Sequence, residues 1–258
     1  MTDLIYAHCA LRASSRPVVT DRWPRMPGGS VPRALAIGHD LWVLVSTVPA
    51  RDFEQDSLTS RLTDVEWLAQ CGAAHHDVIA RAGRSHAVAP FRLLTLFRSE
   101  TRAVEEATGI RSRIERALDR VHNRREWVVR VAAVASEWTP PARRASSGTA
   151  YLMARALPRA RPKGPTPGAR RVTRELVTEL KRYADRVAAR QPIDAAHVLY
   201  DGALLVSRSR ERQLSEAVRR WASKLTPVGC RLSLTGPWPP YSFVSLDGRR
   251  ASSSHGRA

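Results

Sequence analysis

The sequence predicts an α+β protein made of two ferredoxin-like (βαββαβ-type) domains, with helical segments between and beside them. Three observations lead there. The 258 residues suffice for two domains of ordinary size. The first half reads strand, long loop, strand, strand, helix, strand, helix; the second reads strand, helix, strand, strand, helix, strand. Each half also holds a turn signal between its middle strands, Gly38-His39-Asp40 and Asp201-Gly202. The first domain thus has a loop in place of its first helix.

In order, Leu4 to Leu11 is an apolar run suited to a buried strand, and residues 12–32, rich in Arg, Pro, Ser and Gly, read as loop. Ala34 to Gly38 and Leu41 to Thr47 form a hairpin, and the stretch from Pro49 to Ser60 is expected to be loop. Thr63 with Glu66 matches a capping box opening a helix, with Leu62, Val65, Leu68, Gly72, His75 and Ile79 inward and Gly83 as its stop. His86 to Phe91 suggests a strand whose Pro90 suits an edge. A helix then runs from Ser99 to about Asn123 with Val104, Ile114, Leu118 and Val121 inward, and Gly109 as a place to bend.

The second domain starts at 124 and ends at 244, after a first domain of residues 1–123. Glu126 to Ala135 is its first strand, Trp138 to Ser147 a loop, and Gly148 to Leu157 a short helix. Residues 158–170, with four prolines, read as an exposed insertion, and a helix follows from Arg171 to Arg190. His197 to Tyr200 and Ala203 to Ser207 flank the Asp201-Gly202 turn as a hairpin. Arg210 to Leu225 is a helix with Leu214, Val218, Trp221 and Leu225 inward; Gly229 to Leu234 is the last strand; residues 245–258 read as a disordered tail.

The composition, 43% hydrophobic and 26% charged, is that of a globular chain, and no apolar run approaches the roughly 20 residues of a membrane span. The start lacks a secretory signal pattern, and Cys9, Cys71 and Cys230 make neither a disulfide framework nor a metal spacing, which points to a reducing cytoplasm. The net charge of +18 suits an anionic partner, including nucleic acid, but the arginines are spread over the whole length and no stacking-aromatic module stands out.

Nothing here assembles a catalytic site. A Gly-rich phosphate loop, a nucleophile elbow and a His-Glu-x-x-His run are all missing from the sequence. His75 and His76 project about 100° apart on a helix and do not chelate as an i, i+4 pair would. Asp64 and Glu66 suit a helix first turn, Cys71 suits packing, and His8, His86 and His197 read as isolated structural residues. No cofactor or metal is expected.

Past the last strand lies Leu234-Thr235-Gly236-Pro237-Trp238-Pro239-Pro240-Tyr241-Ser242-Phe243-Val244, where Gly236-Pro237 is expected to end the strand. Pro239-Pro240 makes a short rod with Trp238 and Tyr241 at its ends, and such a rod loses little entropy on ordering. Two readings stand: a rigid exit whose aromatics cap the core, or a preformed docking element. This block resembles the C-terminal signature of the gas vesicle GvpL/GvpF family. Trp67-Leu68 with His75 and Val78-Ile79, the segment Ala87 to Phe97, Glu126 to Val131, and Gly148 to Leu152 are similar to further blocks of that family in the same order. The Pro-rich insertion and the loop at 139–147 depart from it.

The resemblance implies a cytoplasmic, gas-vesicle-associated accessory protein that is not an enzyme. Its partners would be the shell protein GvpA and other accessory gas vesicle proteins, and it would act as chaperone or nucleation factor. The alternative is a basic nucleic-acid-binding protein. The partner surface is assigned to Trp238, Pro239, Pro240 and Tyr241, with Arg92 of the Ala87–Phe97 segment.

Overall fold

A strand buried on both faces needs apolar residues in both alternating sets, and Leu4–Arg12 has them. In the computed structural model, which describes residues 3–134, 165–191 and 197–246, this segment is β1, the centre of the first sheet. The described chain falls into two units, one of residues 1–126 with 237–258 and one of residues 127–236. Both have mixed helix and sheet, and both sheets are antiparallel.

In the first unit β1 pairs with β3 (Leu41–Val48) on one side and with β4 (Val88–Pro90) and β5 (Leu96–Phe97) on the other, while β2 (Arg33–Ala36) pairs with β3. The order is β2-β3-β1-β4, so Pro90 does lie on an edge strand, where its missing N–H costs no ladder bond. The β1–β3 register shifts between Ala7 and Cys9, making His8 the extra residue of a bulge. The bulge exchanges the two faces. Before it, Ile5 and Ala7 pack beside α4 (Glu100–Gly109) and α5 (Arg111–Val121); after it, Ala10 does. On the opposite face Tyr6, then Cys9 and Leu11, meet the helical layer of α3 (Val65–Ala82).

Several local expectations change. The stretch after Pro49 is not loop: α1 (Ala50–Phe53) and α2 (Gln55–Arg61) seat Phe53 against Tyr6 and Trp67. α3 begins one residue later than a Thr63 capping box requires. Asp64 is its N-cap, accepting from Trp67 N at 3.0 Å, while the Thr63 hydroxyl donates to Ser60 O. The buried face of α3 is Trp67, Cys71, His75, Val78, Ile79 and Ala82; Val65 is 78% exposed. The next helix breaks at Ile110, directly after Gly109, leaving α4 and α5, and Ile114, Leu118 and Val121 are buried as expected.

The second unit has β6 (Arg124–Ala133), α6 (Pro167–Leu180), β7 (Arg186–Ala189), β8 (Val198–Ser207), α7 (Glu211–Leu225) and β9 (Cys230–Trp238), with sheet order β7-β8-β6-β9. Its core joins Val129, Val131, Leu204 and Val206 to Leu176 and Leu180 of α6 and Leu214, Trp221 and Leu225 of α7. The expected elements at 138–157 and residues 158–164 of the insertion lie outside the described residues; 167–170 are the first turn of α6, with Thr166 capping Ala169 N and Pro167 at its favoured first position. α6 stops at Leu180, not Arg190, and residues 186–189 are strand.

Asp201-Gly202 is not a turn. It lies inside β8, and β8's neighbour in the hairpin is β7, with Arg186 opposite Leu205 and Ala189 opposite Gly202. The Asp201 carboxylate, 1% exposed, is held by Arg130 at 2.6 and 2.9 Å and Arg190 at 3.4 Å. A Cβ at 202 would run into the Tyr200 ring, so glycine serves a close approach here and not a reversal. β9 likewise continues through Gly236 (φ 136°) and Pro237 to Trp238; it is an edge strand, which tolerates proline.

The capping assignment predicts that Asp64→Ala destabilises the protein by about 1 kcal/mol in urea unfolding, whereas Thr63→Ala changes stability by less than about half that. Equal losses would restore the threonine as the cap.

Candidate functional site

Proline cannot give a backbone hydrogen bond, so a Pro-Pro segment has to be fixed by its neighbours. The neighbours here are unusually well provided. Pro239 and Pro240 are buried, and the chain turns behind them with Tyr241 N donating to Pro239 O and Phe243 N to Pro240 O. Ser242 gives its N–H and its hydroxyl to the two oxygens of Glu126, both at 2.8 Å; that carboxylate is 2% exposed. Arg120 on α5 donates to Phe243 O and Arg113 to Leu246 O. Val244 and Leu246 then enter the core beside α5, so residues 245 and 246 are not part of a disordered tail; 247–258 lie outside the described residues.

The sequence places this block at the end of the second domain, yet residues 237–246 pack in the first unit. Trp238 and Tyr241 flank the buried prolines, 40% and 39% exposed. Both rest on His76 of α3, with ring centres 5.4 Å away for Trp238 and 6.1 Å for Tyr241, whose hydroxyl is 3.3 Å from His76 Nδ1. Burial and the nearby Glu126 and Asp77 push the Tyr241 hydroxyl's pKa up, keeping it protonated. His76 thus gathers Trp238 and Tyr241 into one three-ring surface, and α3 continues it. Val65, Ala69, Gly72, Ala73 and His76 recur at helical spacing along its outward side, and the space over Gly72 is open. α3 therefore carries two apolar stripes, one in the core and one facing out.

Arg92 is exposed at the turn between β4 and β5, where its carbonyl accepts from Thr95 N and Oγ. That turn is held by a group the sequence did not single out. Leu94 has a left-handed φ of 63°, unfavourable for leucine, and its N–H donates to the Tyr6 hydroxyl at 3.2 Å. The Tyr6 hydroxyl is 2.9 Å from His75 Nδ1, and His75 also bonds the Phe91 backbone. If the second ring nitrogen donates to Phe91 O, Nδ1 is free to accept the Tyr6 proton, so the chain is self-consistent. His8 stacks 5.8 Å from His75 and reaches Ser46 Oγ at 2.9 Å, leaving its Nδ1 without a partner. Burial, with His75 nearby, lowers the His8 pKa to about 3, and burial lowers His75 to about 4. Two isolated-looking histidines in sequence are thus one neutral buried pair, made visible only by the bulge at His8.

Among the described residues no group of three His, Cys, Asp or Glu is placed to hold a metal ion, and no helix is long and apolar enough to cross a membrane.

The family profile described as "Gas vesicle synthesis protein GvpL/GvpF" matches residues 4–245. The chain is 36% identical over 232 residues to Gas vesicle protein L of Streptomyces sp. (strain CB03234), covering 85% of each. In fold it is similar to the crystal structure of GvpF from Anabaena sp. PCC7120, with a TM-score of 0.65 at 14% identity over 95% of this chain and 100% of that one. It is also similar to GvpF from Microcystis aeruginosa, with a TM-score of 0.61 at 12% identity over 94% and 99%.

Two outcomes follow from the geometry. Glu126→Ala leaves the Ser242 N–H without its acceptor and should cost about 2–3 kcal/mol, against about 1 kcal/mol for Ser242→Ala, in urea unfolding. The second concerns pH. Both histidines have folded pKa values below the ordinary 6.5, so the unfolded state binds more protons between that value and about 4. Stability should therefore fall as pH drops from 6.5, by up to about 1.4 kcal/mol per histidine for each unit, and His8→Phe should reduce the slope. An unchanged slope in that variant, still folded, would show that His8 protonates in the native state.

Proposed function

Because the chain belongs to the gas vesicle GvpL/GvpF family, we propose that it is a non-enzymatic accessory protein of gas vesicle assembly that binds the shell protein GvpA, with other accessory gas vesicle proteins as further partners, in the cytoplasm. The observation that carries this is the exposed Trp238–His76–Tyr241 surface, continuous with the outward stripe of α3 and locked from behind by Glu126 and the buried prolines. Rings fixed before binding lose little entropy on association, and amphipathic aromatics are the side chains that anchor interfaces. A stripe of small residues next to such anchors suits an apolar helix or strand of a subunit that must be kept from premature self-association. On this reading the block acts as chaperone or nucleation surface, and the buried prolines contribute rigidity, not contact. Arg92, exposed in the β4–β5 turn, is the further contact expected for a partner carboxylate.

The strand orders β2-β3-β1-β4 and β7-β8-β6-β9 support a ferredoxin-like reading of each half, with the first half carrying helices on both faces of its sheet.

The test is co-purification of GvpA with the full-length protein at low and high salt. The parent should retain GvpA at high salt, since the contact is mainly apolar. Trp238→Ala/Tyr241→Ala and, separately, Val65→Glu should each reduce retention at least about tenfold while keeping the parent's circular dichroism. Retention unchanged in both folded variants would remove this surface from the interface; no retention by the parent would remove direct GvpA binding.

A further inference from the structure

Positive charge is not evenly distributed once the carboxylates are counted. Residues 1–126 hold 18 basic and 15 acidic residues, whereas residues 127–236 hold 21 and 8, so the second unit carries +13 of the net +18. The arginines are indeed spread along the chain; it is the acidic residues that are not. All three lysines, Lys163, Lys181 and Lys224, are in the second unit as well.

Within that unit the helical layer carries +7 of the +13. From Thr166 to Arg182 there are five basic and two acidic residues, and from Arg208 to Leu225 six and two. The inner faces of α6 and α7 are apolar and buried, which forces the cations outward. Glu179 ties the two helices together, accepting from Arg220 at 3.1 Å and from Trp221 Nε1 at 2.8 Å. Arg170, Arg174, Lys181, Arg182 and Arg219 are exposed and have no carboxylate partner among the described residues. Along α6 a shallow groove of about 390 Å³ is lined by Arg171, Arg174 and Arg182 with Glu175, Thr178 and Glu179.

We propose that the α6–α7 face of the second unit docks an acidic segment of a partner protein, through bidentate pairing of its carboxylates with Arg174, Arg182 and Arg219. Arg170, Arg174, Lys181 and Arg182, unpaired along and just after α6, repel each other, and Arg219 adds a further unpaired cation in a second groove on α7 with Trp127, Arg212 and Glu216. An acidic partner relieves that repulsion as it binds. Nucleic acid fits the same face less well. Glu175 and Glu179 stand in the groove, where an unbroken row of phosphates meets them and a protein can leave a gap. The aromatics that would stack bases are engaged: Trp221 is 5% exposed, with Lys224 over its ring, and Tyr183 packs on the core. This surface is built from residues other than those of the aromatic site and stands whether or not that site binds GvpA.

The experiment measures binding of poly-glutamate to the full-length protein at low salt. Arg174→Glu/Arg182→Glu/Arg219→Glu should weaken it at least about tenfold. Arg16→Glu/Arg84→Glu/Arg98→Glu, an equal charge change on exposed arginines of the first unit, should weaken it less than about twofold. Glutamine at the three second-unit positions provides a milder variant if reversal disturbs α6. Equal weakening by the two triples overturns the proposal, since net charge alone would then explain binding. Duplex DNA binding the parent more tightly than poly-glutamate at matched charge concentration also overturns it, in favour of a nucleic acid.

Discussion

One extra residue in β1 governs the first unit. A regular strand alternates faces without exception, so a nine-residue strand commits each side chain at once. The bulge at His8 breaks that commitment in the middle. It lets Ile5, Ala7 and Ala10 supply one core and Tyr6, Cys9 and Leu11 the other, and it turns His8 toward Tyr6 and His75. The histidine pair, the strained Leu94 turn that Tyr6 holds, and the placement of α3 above them all depend on that shift. α3 in turn positions His76, the platform for Trp238 and Tyr241.

The aromatic block illustrates how rigidity is assembled from polar contacts. Its prolines offer no N–H groups, so carbonyls and one serine do the anchoring, and each meets a charged partner: Glu126 for Ser242, Arg120 for Phe243 and Arg113 for Leu246. Charge-assisted bonds of this kind are stronger than neutral ones and directional. They fix the backbone behind Trp238 and Tyr241, which stay 40% and 39% exposed.

Much of this was legible from the sequence, and the misses share a cause. The strands around Leu4–Leu11 and Leu41–Thr47, the edge position of Pro90 and the inward residues of α5 and α7 follow from periodicity and survive. Periodicity misjudged α3 because two apolar stripes share that helix, and Val65 and Gly72 belong to the outward one while Leu68 packs beside the inner. Asp201-Gly202 carries a strong local hairpin signal, but burial of the carboxylate between Arg130 and Arg190 depends on residues far along the chain, which no window sees. The capping role went to Asp64 over Thr63 by a single residue. Trp238 and Tyr241 were identifiable from spacing and from family resemblance; their support by His76 and Glu126 was not, because both are distant in sequence and neither has a pattern of its own.

The route of the chain has a consequence for how the protein comes to be folded. Residues 237–246 complete a unit whose other residues end at Glu126, with 110 residues of the second unit between them. During synthesis from the N-terminus, Glu126 and the edge of the α5 core emerge long before Ser242 and Leu246 can reach them. Closing so long an interval is entropically costly unless the intervening residues fold first and bring their ends together. The second unit is then the earlier to finish, and the aromatic surface forms only after residues 127–236 have been made and folded.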